Sequence, residues 1–151
     1  MSMNDKTIRI AIPGDEEAIF QLIKDLAEFE KAPNEVSNTS QELGKHLFEE
    51  GICEAIVCEY KNEIVGFALY YTSYSTWKGI CLYLEDFYVK PEMRGFGVGL
   101  LLFEEVIRIA KVKEVKRVDW QVLDWNENAI QFYKKQGAIL DGEWINGRLY
   151  L

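Results

Sequence analysis

Three glycines at alternate positions, Gly95, Gly97 and Gly99, stand between a β-prone run, residues 83–89, and a helix-prone run, residues 100–107. The order strand, glycine loop and helix presents backbone N–H groups and the positive end of a helix dipole to an anion. Glycine permits a positive φ and lets a bulky phosphate approach the backbone. The sequence therefore predicts a phosphate-binding junction, with two carboxylates, at positions 85 and 86, a few residues before it.

The charge of the chain bears on which partners it can bind. Its 151 residues suit a single domain, residues 1–151, and 48% of them are hydrophobic, as expected for one packed core. The net charge is −8 at pH 7 and the isoelectric point is about 4.8. Because a nucleic-acid-binding surface is usually basic, we expect no nucleic acid partner, and an acidic field attracts small cations instead.

Cysteine and histidine usage argues against several kinds of catalytic centre. The chain has three cysteines, an odd number without a disulfide framework spacing, and one histidine, His46. We therefore expect neither a Cys-His nucleophile nor a metal site, and interpret the cysteines as core residues. The sequence shows no leader-like segment and no 18-residue apolar stretch, so a cytoplasmic protein without a membrane partner is expected.

Hydrophobic periodicity and turn signals predict six strands and four helices in the order β-α-α-β-β-β-α-β-α-β. The predicted strands are residues 7–12, 55–60, 64–71, 80–89, 115–122 and 144–151, and the helices are residues 18–29, 39–48, 97–111 and 126–136. Asp15 and Thr39 are predicted to cap the first two helices. Hairpin strands followed by strand–helix–strand units predict an α/β fold with a mixed antiparallel and parallel sheet.

The spacing of the glycines excludes two common phosphate-binding motifs. A Walker A loop needs Gly-x-x-x-x-Gly-Lys followed by Ser or Thr, and no such stretch occurs. The dinucleotide pattern Gly-x-Gly-x-x-Gly fails as well, because its third glycine falls on Leu100 or Leu102. The pattern present is Arg94-x-x-Gly97-x-Gly99.

That pattern resembles the pyrophosphate-binding loop of the GNAT superfamily of acyl-CoA N-acyltransferases. Residues 82–89 resemble the strand that precedes the loop in that superfamily, and residues 125–138 resemble its second cofactor segment. Residues 22–30 and 66–71 resemble the diamine acetyltransferases, also called spermidine/spermine N-acetyltransferases, and residues 74–79 resemble their thialysine-acetylating branch. The resemblance covers nearly the whole chain.

The resemblance implies a GNAT fold, acetyl-CoA as cofactor and a bulge in the strand before the loop, which opens a slot for the cofactor. Backbone groups of the strand would pair with the pantetheine arm, and loop and helix amides would hold the pyrophosphate. The implied cofactor-binding residues are Phe87, Tyr88, Val89, Arg94, Gly95, Phe96, Gly97, Val98, Gly99, Leu100, Asn126, Ala129 and Tyr133. By spacing, Asn126 is equally a helix cap, and Arg94 is equally a solvated arginine.

Two residues are assigned catalytic roles by the resemblance. An aliphatic ammonium has a pKa of about 10.4, so about one molecule in a thousand is neutral at pH 7 and a base is needed. Glu85 is the candidate base, directly or through water, and Tyr133 is the candidate acid for the departing thiolate. Because strand side chains alternate, Asp86 is predicted to face away from Glu85 and to serve structure.

The resemblance also places substrate contacts outside the glycine region. Phe29 and Glu30 match a substrate-contacting pair at the end of the first helix, although a helix end is often only solvated. Trp77 is expected either to wall the amine pocket by a cation–π contact or to pack a loop. Ser75 stands where polyamine enzymes tend to carry aspartate, so the expected substrate is a small amine rather than a long polyamine.

These residues predict an acetyl-CoA-dependent N-acetyltransferase that transfers acetyl directly to a primary amine. The expected substrate is thialysine, a lysine-like molecule or a short diamine, and the expected assembly is a homodimer. Three alternatives stay open at this point: a polyamine acetyltransferase, a protein lysine acetyltransferase, and a module that senses acyl-CoA without catalysis.

Overall fold

A computed structural model describes residues 5–151 of the chain. The described residues fall into two compact units, one ending at Trp120 and one formed by Gln121–Leu151. The first unit carries a five-stranded sheet with three helices, and the second carries one helix followed by an irregular segment. The prediction of one domain over residues 1–151 stays a prediction.

The sheet of the first unit has the strand order β1-β2-β3-β4-β5. Its strands are β1 (Lys6–Ile10), β2 (Glu54–Tyr60), β3 (Glu63–Ser75), β4 (Gly79–Val89) and β5 (Val118–Asp119). The first four strands pair antiparallel, and β5 joins β4 in parallel. The predicted mixed sheet is therefore confirmed.

Helices cover both faces of this sheet. The helices are α1 (Glu16–Phe29), α2 (Ser40–Gly44), which continues as a π-helical turn over Lys45–Glu49, and α3 (Val98–Val112). Ile19 and Leu22 of α1 pack with Phe67 and Leu69 of β3 in the main core. Val98 and Leu102 of α3 lie against Gly66 instead, on the face to which the alternate residues of β3 point.

The cap predictions for the first two helices have different outcomes. The hydroxyl oxygen of Thr39 accepts a hydrogen bond from the Glu42 amide at 3.1 Å, as the capping-box pattern predicts. Asp15 occupies the N-cap position of α1, as predicted, and its backbone carbonyl accepts the Ile19 amide at 3.0 Å, but its carboxylate makes no cap bond to the helix. It pairs instead with Arg9 at 2.7 Å and accepts the Ile12 amide, because a charged partner lies within reach.

The second unit is largely irregular apart from α4 (Glu127–Lys135). The predicted strand over residues 144–151 is wrong, since no strand is present in residues 121–151. Trp144, Ile145 and Leu149 are apolar, yet they are exposed. A strand needs a hydrogen-bonded neighbour as well as a pattern, and no residue pairing places one beside this segment.

The fifth strand is shorter than its sequence suggests. Residues 115–122 predict eight strand residues, whereas β5 has two, Val118 and Asp119, which pair with Leu82 and Tyr83. Alternation of apolar residues continues to Val122, but parallel pairing with β4 ends at Tyr83. Just beyond Tyr83, the pairing of β4 with β3 becomes irregular at residues 84–85.

Candidate active site

A bulge in β4 lies at two neighbouring carboxylates, Glu85 and Asp86. Leu69 pairs with Asp86 and Tyr71 pairs with Tyr83, so two steps on β3 match three steps on β4. The extra residue lies at 84–85, which confirms the expected bulge. Tyr70 pairs with Leu84 and Leu69 pairs with Asp86, so Glu85 is the extra residue, and strict alternation alone does not separate Glu85 from Asp86. The orientation of Asp86 away from Glu85 stays a prediction.

Glu85 stands at the bulge, exposed, near two tyrosines. The rings of Tyr71 and Tyr83 have centroids 5.4 Å apart. Burial raises the pKa of both phenols, and the negative charge of Glu85 raises it further. Glu85 therefore has aromatic neighbours and access to water, which a base acting through a water molecule requires.

Asp86 is the largely buried neighbour of Glu85. Burial raises the pKa of Asp86 to about 7, and the negative charges of Glu85 and Glu30 add to the shift. Partial burial also raises the pKa of Glu30, which follows α1 directly. Three carboxylates from two elements thus act on one another at this point of the sheet. Asp86 is the residue that sequence reasoning assigned to structure alone; its burial depends on contacts distant in sequence.

The backbone of β4 is paired on one side only after the bulge. On the β3 side, pairing continues from Asp86 to Val89. On the β5 side, pairing ends at Tyr83, so no strand of the described chain adjoins β4 there between residues 84 and 89. Backbone groups along such an edge are available to an extended ligand that pairs like an added strand.

The glycine loop begins five residues after Val89. Gly95 has φ +85° and Gly97 has φ +82°, values that favour glycine, and a Cβ at Gly95 would meet nothing within 4 Å. Gly97 caps α3, and the first backbone bond of the helix runs from the Leu101 amide to the Gly97 carbonyl. The amides that precede Leu101 have no acceptor in the helix, so the loop fits a phosphate-bearing ligand.

Gly66 of β3 sets how closely α3 approaches the sheet. A Cβ there would lie 3.1 Å from the Tyr88 carbonyl oxygen, 3.1 Å from Leu102 Cδ1 and 3.3 Å from Val98 Cγ1. A side chain at this position would push the first turn of α3 away from β4. Gly66 therefore helps to position the glycine loop, although it lies far from it in sequence.

Arg94 joins the glycine loop to the end of α1. Its guanidinium carbon lies 5.3 Å from the Phe29 ring centroid and 5.5 Å from the Tyr88 ring centroid. Its Nε donates to the Val89 carbonyl at 3.2 Å. The structure thus brings Phe29 and Glu30 close to the cofactor segment, as the predicted substrate pair requires.

Ser75 and Trp77 lie at the tip of the β3–β4 hairpin. The Ser75 hydroxyl accepts the amides of Trp77 and Lys78 at 3.2 and 3.1 Å, and Trp77 is 84% exposed. At about 3.3 Å per residue, the hairpin tip is about 20 Å along β4 from Glu85. The structure does not bring these two residues together with Glu85 in one chain, so their substrate role stays a prediction.

The remaining predicted residues lie in the second unit. Asn126 caps α4, its side-chain oxygen accepting the Ala129 amide at 3.3 Å, which confirms the cap interpretation. Tyr133 is buried, with 6% of its surface exposed. Its ring packs edge-on against that of Phe132, with the two ring centroids 5.5 Å apart. The catalytic role of Tyr133 stays a prediction.

In residues 5–151 no group of three or more His, Cys, Asp or Glu side chains could hold a metal ion. Within the same range no helix has the length and apolar character needed to cross a membrane.

Comparison with known proteins decides the family. The model of the acetyltransferase (GNAT) family matches residues 17–138, which include α1, the β4 bulge, the glycine loop and α4. The chain belongs to the GNAT acetyltransferase family. Curated N-acetyltransferases share its sequence over most of its length.

Two curated relatives are thialysine N-epsilon-acetyltransferases. The protein from Bos taurus is 41% identical over 140 residues, covering 87% of this chain and 82% of its own. The protein from Caenorhabditis elegans is 35% identical over 131 residues, covering 87% of this chain and 81% of its own. These relatives and the GNAT domain identify this chain as an N-acetyltransferase that acts on amines.

Solved structures support the GNAT fold. The structure of AAC(6')-Iy in complex with the bisubstrate analog CoA-S-monomethyl-acetylneamine superposes with a TM-score of 0.81. It is 18% identical and covers 97% of this chain and 99% of its own. At that identity the likeness concerns the GNAT fold alone.

Proposed function

We propose that this GNAT protein transfers acetyl from acetyl-CoA directly to a primary amine of a small cation, either thialysine, a lysine-like molecule or a short diamine. The observation that carries the proposal is the cluster of Glu30, Glu85 and Asp86 at the bulge of β4, on the strand that leads into the glycine loop. Negative charge beside a carrier-binding strand suits a cationic amine.

Acetyl-CoA fits the residues that would hold it. The amides from Gly97 to Leu100 face the N-terminal end of α3, where phosphate oxygens accept hydrogen bonds. Residues 86–89 offer backbone groups on the side of β4 without a strand. When bound, acetyl-CoA supplies the thioester carbonyl that an amine nitrogen attacks.

The carboxylates are proposed to take the amine from its charged to its neutral form. Glu30 and Asp86 attract the ammonium, and Glu85 accepts its proton through a water molecule. A lone pair on nitrogen results, which the attack requires. Tyr133 is proposed to donate its Oη proton to the departing sulfur, a role that rests on the resemblance of residues 125–138.

Asp86 is a second candidate for the base. Its pKa of about 7 matches the operating pH better than that of an ordinary carboxylate. The pH profile of kcat/KM separates the two candidates. Glu85→Gln is expected to lower kcat about 100-fold and to keep an inflection near pH 7. If Asp86→Asn abolishes both activity and that inflection while Glu85→Gln retains activity, Asp86 is the base.

Tyr133→Phe tests the proposed acid. Removal of one hydroxyl is expected to lower kcat by about 10- to 100-fold with acetyl-CoA affinity nearly unchanged, because the proton is needed only after attack. Tyr74→Phe on the exposed β3–β4 hairpin is the matched control and keeps wild-type kinetics. Unchanged kcat in Tyr133→Phe would remove the assigned role.

The substrate class is tested by CoA release with a panel of amines. Thialysine, lysine, putrescine, spermidine and a lysine-containing peptide are compared at equal concentration. Highest kcat/KM for thialysine or lysine supports the proposal, since Ser75 leaves the hairpin without the second carboxylate that a polyamine would use. A preference for spermidine supports a polyamine enzyme, and a preference for the peptide supports a protein acetyltransferase. No activity on any primary amine would overturn the proposal.

A homodimer in the cytoplasm is proposed with this activity, on the resemblance to the diamine acetyltransferases. Sedimentation equilibrium of the purified chain measures its mass. A mass of about twice the 17.5 kDa chain is expected, and a monomer at micromolar concentration would contradict the proposal.

A further inference from the structure

The contacts of Arg94 connect three parts of the first unit. Arg94 is the first residue of the glycine loop motif, Phe29 is the last residue of α1, and Tyr88 lies near the end of β4. The guanidinium carbon is 5.3 Å from one ring centroid and 5.5 Å from the other, within the range of a cation–π contact. One side chain thus spans the loop, the helix and the strand.

The surroundings favour this position of the guanidinium. Phe29 and Tyr88 line a cleft of about 660 Å³ whose wall also carries the carboxylates of Asp25, Glu28 and Glu92. The Val89 carbonyl accepts the Nε–H of Arg94. Two aromatic rings and one carbonyl oxygen are thus the contacts of the guanidinium group, and a planar guanidinium stacks well on aromatic faces.

We propose that Arg94 is a positioning residue whose stack on Phe29 and Tyr88 couples the binding of acyl-CoA to the binding of the amine. This proposal rests on the function proposed above. The stack fixes the start of the glycine loop and the end of α1 together, and Glu30 follows Phe29 directly. A ligand at either place favours the stacked arrangement, so each ligand prepares the site of the other.

The coupling has a defined measure. By linkage, the factor by which CoA tightens the amine equals the factor by which the amine tightens CoA. Couplings of this kind in proteins are about 5- to 150-fold. Because Arg94 itself is exposed, its ring contacts are weak, and the expected factor is near the lower end, about 5-fold. Free CoA serves as the probe because it carries no acetyl group to transfer.

Titration calorimetry of thialysine with and without saturating CoA tests the proposal. Wild type is expected to bind thialysine about 5-fold more tightly with CoA. The ratio of the thialysine dissociation constants without and with CoA is expected to fall below about 2 in Arg94→Gln, which removes the cation, and in Phe29→Leu, which removes the ring. Phe29→Tyr restores a ring and the wild-type ratio. Lys24→Gln is the matched control, since Lys24 lies 5.5 Å over the Phe20 ring on the same helix without reaching the loop.

The ratio separates positioning from direct contact. A direct phosphate contact by Arg94 would weaken CoA in Arg94→Gln and leave the ratio unchanged in Phe29→Leu, which would overturn the proposal. A wild-type ratio near 1, with both ligands bound, would overturn the coupling alone. Absence of CoA binding would overturn the proposed function as well. Thermal melts of each variant identify any loss of fold, and the Phe29→Tyr rescue keeps the test valid if Phe29→Leu is destabilised.

Discussion

The two halves of β4 differ in how their backbone is used. From Gly79 to Tyr83 the strand has neighbours on both sides, β3 and β5, and its Leu82 is buried in the sheet. From Asp86 to Val89 it pairs with β3 alone and leads into the glycine loop. The strand thus lies inside the sheet in its first half and has an unpaired backbone edge in its second half, and the bulge at Glu85 is the boundary.

Deleting Glu85 is the change expected to have the largest effect. Without it, Leu84 and Asp86 become adjacent, their pairing with Tyr70 and Leu69 is regular, and every other β4 side chain keeps its face. The deletion variant should therefore fold, while the boundary between the halves disappears. Acetyl transfer is expected to fall about 1000-fold or more, because the proposed base and the bulge are lost together.

Circular dichroism and CoA release measure the two outcomes of this deletion. Glu85→Gln is the matched control, since it removes the base and keeps the bulge. If acetyl transfer falls by the same factor in the deletion variant and in Glu85→Gln, the bulge has no role beyond holding Glu85. A deletion variant with full activity would contradict both roles.

Asp86→Asn tests the cost of a carboxylate in the second half of β4. The pKa of the Asp86 carboxyl is about 7 in the folded wild-type chain and about 3.9 when the group is exposed. Between these pH values the folded state holds the proton, so the free energy of unfolding falls as pH rises from about 4 to 7. The free energy of unfolding of Asp86→Asn is expected to exceed that of wild type by about 2–4 kcal/mol at pH 8 and by almost nothing at pH 4. Urea unfolding at the two pH values measures the difference, and a gain independent of pH would refute the burial argument.

Gly66→Ala tests how the second half of β4 is placed against α3. The added Cβ would lie 3.1 Å from the Tyr88 carbonyl oxygen, a backbone atom that cannot move alone. A loss of about 1–3 kcal/mol in stability is expected, with weaker CoA binding as α3 shifts. Gly147→Ala, where a Cβ meets nothing within 4 Å, is the control and should be neutral. Equal stability of the two variants would show that α3 tolerates the shift.

The sequence predicts the first half of β4 better than the second. Apolar alternation and turn residues locate β1 to β4, α1 and α3 within a few residues, because local pattern and tertiary environment agree there. The resemblance predicts the bulge, but the alternation argument for Glu85 and Asp86 assumes a regular strand. The two predictions are inconsistent, and the register with β3 decides for the bulge.

The missed features depend on contacts between distant residues. The pKa of Asp86 reflects burial and Glu30, which is more than fifty residues away in sequence. The close approach at Gly66 involves Leu102 of α3, and a glycine in a strand is the only local signal of it. Residues 144–151 show the reverse case, since the sequence predicts a strand there while the structure gives them no strand pairing.

The unpaired edge of β4 also bears on the stability of the protein and on its resistance to proteolysis. Unpaired edges invite contact with other chains, and proteins normally cover them. A ligand that pairs with residues 86–89 only in the folded state stabilises that state, by about 2.7 kcal/mol when its concentration is 100 times its dissociation constant. The supply of the acyl carrier would then set the lifetime of this protein as well as its turnover, and starvation for it would leave the chain more open to proteolysis.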